Sequence, residues 1–78
     1  MLNGFNGGTV VQARATRRVL DFKGNRVKVH EGATGIVWSS VLFGREDDEE
    51  GLSQQVYFET GQNTTDCVNF PYSHMARL

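Results

Sequence analysis

The chain has 78 residues, 38% of them hydrophobic and 22% charged, with a formal net charge of −1. It has room for one small domain only, since an α/β barrel needs ~250 residues, and a core burying roughly 60% of the unfolded surface is marginally stable. The apolar content is too high for a disordered chain, and no apolar run approaches the ~20 residues of a membrane span.

Residues 1–8 are polar and glycine-rich, which reads as a flexible lead-in and not as a signal peptide. The domain is expected over 9–78. Helix signals are weak, because no long stretch has apolar residues at the three-and-four spacing of an amphipathic helix. Strand signals recur instead. The first strand is expected over Thr9–Ala15. Arg26–His30 alternates charged and apolar residues, so Val27 and Val29 share a face. Glu31-Gly32-Ala33 turns into the β-branched and aromatic run Thr34–Phe43, where Gly35 permits a kink. Leu52–Glu59 is the next strand, and Thr60-Gly61-Gln62-Asn63 a hairpin turn into Thr64–Phe70. Pro71 closes that strand, Pro71–His74 fits a 3₁₀ turn, and Met75–Leu78 fits a last short strand. The expected core is Val11, Ala13, Val27, Val29, Ile36, Trp38, Val56, Phe58, Val68, Phe70 and Met75.

This order of elements resembles an SH3-like small barrel of bacterial or phage type. The motifs that carry the resemblance are VKVHEGATGIVW (27–38), VYFETG (56–61) and VNFPYSHMARL (68–78), with RVLDFKG (18–24) similar to the opening of eukaryotic SH3 domains. The resemblance implies an all-β, five-stranded closed barrel with a 3₁₀ turn before the last strand. It does not imply the reading of proline-rich peptides: the tandem tryptophans are missing, and His74 stands where a groove tyrosine would be. The plasmid-borne type II dihydrofolate reductases also share this size and barrel. They line a tetramer's pore with a Val-Gln-Ile-Tyr-Pro segment, matched here by Cys67-Val68-Asn69-Phe70-Pro71, which departs at the glutamine and tyrosine positions.

The sequence holds no pattern for catalysis, a cofactor or a metal. There is no CxxC, no HxxxH and no phosphate-cradling glycine loop after a strand. His30 and His74 have no catalytic partner in a recognised motif. Cys67 is the only cysteine, which excludes an internal disulfide and suits a reducing cytoplasm. A non-catalytic binding module is therefore expected, docking on another protein as an accessory factor.

The charges suggest where. Arg14, Arg17, Arg18, Lys23, Arg26 and Lys28 face only Asp21 in their segment, whereas Glu46, Asp47, Asp48, Glu49 and Glu50 form an unbroken acidic run between Gly44 and Gly51. The two segments, with opposite signs, would steer a protein partner, and Tyr57 and Tyr72 are the candidate uncharged contacts. The alternative is nucleic-acid binding by the 14–28 segment, with Phe22 or Tyr57 stacking on bases. A net charge of −1 argues against a general affinity for nucleic acid.

Overall fold

The computed structural model describes residues 4–44 and 51–78. Seven strands follow one another: β1 (Val10–Ala13), β2 (Arg17–Leu20), β3 (Arg26–Val29), β4 (Thr34–Phe43), β5 (Ser53–Gly61), β6 (Thr64–Pro71) and β7 (Met75–Arg77). A 3₁₀ turn over Tyr72–His74 separates β6 from β7. There is no α-helix among the described residues, and none of their helices is long and apolar enough to cross a membrane. All pairings are antiparallel. One sheet runs β6-β5-β4-β1-β7, and β2 and β3 form a separate two-stranded ribbon.

The all-β expectation stands, but the five-stranded closed barrel is corrected. The described strands number seven in two sheets, and the larger sheet ends at β6 and β7 without joining them. The ribbon instead reaches β6 through a single bridge between Asp21 and Val68. It forms because Val19, Val27 and Val29 all fall on one of its faces, Val19 opposite Val27. Folding the stretch back on itself buries Val29 and packs Val19 and Val27 against the core. The stretch before β3, where no strand was expected, thus holds β2. Its tip is built on Asp21, whose Oδ1 accepts hydrogen bonds from the backbone N–H of Lys23 (2.9 Å) and of Asn25 (2.8 Å).

The core lies between the sheet's inner face and the ribbon. It holds Val11 and Ala13 of β1, Val29 of β3, Val37 of β4, Val56 and Phe58 of β5, Val68 and Phe70 of β6, and Met75 of β7. Phe58 and Phe70 meet edge to face, with ring centroids 4.9 Å apart. Two expected core members are corrected. Ile36 is 52% exposed and Trp38 63% exposed, while Gly35 and Val37 face inward. A side chain at position 35 cannot be accommodated: a Cβ there would lie 2.7 Å from Phe58 Cδ1 and 2.8 Å from Val56 Cγ1. The sheet closes on Phe58 only where β4 presents hydrogen, and that sets the parity of β4 as far as Val37, beyond which a bulge reverses it.

Residues 1–3 of the expected lead-in lie outside the described residues, but residues 4–8 are tied to the sheet. Gly8 N–H donates to the Val37 carbonyl (2.7 Å) and Gly4 N–H to that of Ser40 (3.2 Å). Phe5 packs on the core and on Tyr72, ring centroids 5.1 Å apart. Gln54, fully buried, joins these pieces. Its Nε2 donates to the carbonyls of Phe5 (2.6 Å) and Ser39 (2.7 Å), and its Oε1 accepts from Phe5 N–H (3.2 Å). Those bonds lie beside a bulge in which four β4 residues, Trp38 to Val41, oppose one β5 residue, Gln55. The amide side chain thus supplies hydrogen bonds where the ladder is interrupted.

Candidate binding surfaces

Two surfaces stand out, one apolar and one cationic. The apolar one is the outer face of the large sheet. Register places Val10 of β1 beside Ile36 of β4, Ile36 beside Tyr57 of β5, and Tyr57 beside Cys67 of β6, giving a row across four strands. Trp38 lies two residues beyond Ile36 on the same face and meets Tyr57 edge-on at 5.6 Å. Val10, Ile36, Trp38 and Tyr57 are all exposed, and so are Val41 and Phe43 further along β4. Soluble domains bury such rows unless something else covers them.

Among the expected site residues, Tyr57 belongs to this face. Tyr72 does not: it is half-buried against Phe5. Sequence reading missed Ile36 and Trp38 as surface residues because it placed the largest side chains of the 34–43 run in the core. A usable signal lay in Gly35, since glycine beside a strand's largest residues marks close packing on its own face.

The cationic surface is the outer face of the ribbon. Arg18 stands directly opposite Lys28 and Leu20 opposite Arg26, all exposed and all on the face turned away from Val19 and Val27. Arg17 shares its register position with the buried Val29 but is itself exposed at the ribbon's open end. Lys23 is at the tip and Arg14 follows β1, its N–H donating to the His74 carbonyl (2.7 Å). The structure therefore gathers Arg18, Arg26 and Lys28 and leaves Arg14, Arg17 and Lys23 to its margins. The expected contacts Glu46, Asp47, Asp48, Glu49 and Glu50 lie outside the described residues.

Among the described residues, no three of His, Cys, Asp and Glu are grouped so as to hold a metal ion. His30 is exposed, and His74 Nδ1 is buried with no hydrogen-bond partner among the described residues. Partial burial pushes the Cys67 thiol above its ordinary value, and its contact with Tyr57 draws it partly back. The Tyr57 phenol is raised too, first by the charge an ionised Cys67 would carry and then by burial and the same contact. At neutral pH the thiol keeps its proton and is a poor nucleophile. In the segment matched to the reductase pore, Val68 and Phe70 are fully buried in the core.

Comparison with protein-family models, with curated proteins and with solved structures gives no match.

Proposed function

We propose that this chain is a small, non-catalytic SH3-like module that docks on another protein through the outer face of its large sheet. The sheet order β6-β5-β4-β1-β7, the hairpin after β1 and the 3₁₀ turn before the last strand support the SH3-like reading. The docking reading rests on one observation: an exposed row of Val10, Ile36 and Tyr57 with Trp38 standing beside it. Tryptophan and tyrosine are the side chains that anchor interfaces, because each removes a large apolar area from water at small cost in rotamer entropy. The cations of the ribbon fit the role of steering, which sets encounter rate more than affinity.

The chain's single tryptophan makes the test direct. Immobilised wild-type protein and its Trp38→Ser variant are exposed to the same lysate, and the captured protein is then purified. The variant is expected to lose capture while its melting temperature stays within about 2 °C of wild type, since residue 38 is on the surface. Adding the purified partner should shift wild-type tryptophan emission to the blue. Equal capture by Trp38→Ser, with loss on neutralising residues 46–50 or replacing Arg14, Arg17 and Arg18, would move the docking to the charged segments.

A further inference from the structure

We propose that the outer face of the β2–β3 ribbon binds single-stranded nucleic acid, with Arg18, Arg26 and Lys28 on the phosphates and Phe22 stacked against a base. This site meets the apolar sheet face at Cys67 but does not depend on it.

The argument begins with a like-charge pair. Arg18 and Lys28 are directly opposite across an antiparallel ribbon, an arrangement that destabilises the pairing. Arg26 is two residues from Lys28 on the same face. None of the three forms an ion pair with a carboxylate among the described residues. The one acid of the segment, Asp21, is committed to the backbone of the tip through two hydrogen bonds. Three cations are therefore held together on a preformed surface, with no described carboxylate paired to them. An anion with several closely spaced charges relieves that repulsion, and a phosphate backbone is such an anion.

The apolar residues beside these cations favour nucleic acid over an acidic peptide. Phe22, at the tip, is 59% exposed, and Leu20 is exposed between the cations and the tip. An exposed ring next to a cationic track is the stacking platform that single strands use, whereas a duplex keeps its base faces covered. Phe22 also walls an open cleft of about 330 Å³, with Asp21, Lys23, Asn25, Thr65, Asp66 and Cys67 around it. Asn25 and Thr65 bring hydrogen-bonding groups suited to a base edge. The net charge of −1 is no obstacle. The ribbon acts through its own field, since at physiological salt screening sets in over ~8 Å.

The test uses fluorescein-labelled (dT)20 and anisotropy over a salt series. Three phosphate contacts predict a slope of log K against log salt near −2, or about a 20-fold loss of affinity from 50 to 200 mM salt. The double variant Arg18→Gln/Lys28→Gln should flatten the slope to about −0.7 and keep or raise the melting temperature, because a repulsion is removed. Phe22→Ala should weaken binding at least about 5-fold, and Arg77→Gln, on β7, should leave the slope unchanged. Absence of binding at 50 mM salt, or a slope unaltered in the double variant, would overturn the proposal. So would tighter binding of poly-glutamate than of (dT)20 with no effect of Phe22→Ala, which would make the ribbon a site for acidic protein.

Discussion

At position 35 the absence of a side chain decides which face of β4 turns inward as far as Val37. Gly35 is buried opposite Phe58 and Val11, and a Cβ would also come within 2.9 Å of the Tyr57 carbonyl oxygen. Backbone on one side and a core ring on the other leave no direction in which a methyl group can be relieved. Gly35→Ala is expected to cost about 1–3 kcal/mol, the usual range for overpacking. In a domain this small that lowers the melting temperature by at least about 4 °C. A variant melting within 1 °C of wild type would show that β4 can shift away. Gln54 is the complementary case, a buried polar side chain whose donors and acceptor are matched to Phe5 and Ser39. Its inward position was readable from the spacing of Leu52, Gln54, Val56 and Phe58, but its partners were not, because they come from residues 49 and 15 positions away.

At the scale of elements, the ribbon is the least secure part of the fold. It has two strands, and such pairs are marginal alone, so β2 and β3 depend on Val29 and its neighbours docking into the core. The tip depends on Asp21. Asp21→Ala removes the acceptor for Lys23 and Asn25 N–H and should cost about 1 kcal/mol. Hydrogen exchange at those two amides should rise while that of Val56 and Phe58 stays slow, since the sheet does not share the bonds. Asp21→Asn keeps an acceptor oxygen and should behave closer to wild type. Uniform acceleration across the sheet would mean that ribbon and sheet open as one unit. Alternation made β3 legible in the sequence, whereas β2 was hidden because it opens on two exposed arginines and has one half-buried valine.

For the molecule as a whole, Cys67 and Tyr57 predict a stability that falls in alkali. Both groups hold their protons to higher pH in the folded state than in the unfolded one. As pH rises past the ordinary thiol range, the unfolded state loses protons first and is favoured. Below neutrality the two groups contribute no pH dependence, because both states are protonated there. Urea midpoints should therefore decline from about pH 8.5 upward, and Cys67→Ser should make the first part of the decline shallower. An identical decline in the variant would assign it to other groups. The same thiol should alkylate more slowly than a free cysteine at pH 8, and Tyr57→Phe should slow it further by removing the contact that lowers its pKa.

The sequence by itself determined where the chain turns and where it extends. Asn63 takes the left-handed conformation, with φ of 57°, in a hairpin turn that its type favours. Pro71 ends β6 because it cannot donate, and Val11, Val56, Phe58, Val68 and Phe70 fall inward because alternation marks them. These features are local, so neighbours in sequence are enough to specify them. The tertiary structure alone decided which side chains of β4 are buried, since the run from Thr34 to Phe43 is apolar at both parities: the fit of Gly35 against Phe58 turns Val37 inward, and the bulge beyond it turns Leu42 inward. It alone also placed Arg18 opposite Lys28 and Val10, Ile36 and Tyr57 in one row. Such juxtapositions depend on strand register, which is set by packing between distant segments, and both proposed binding surfaces consist of them.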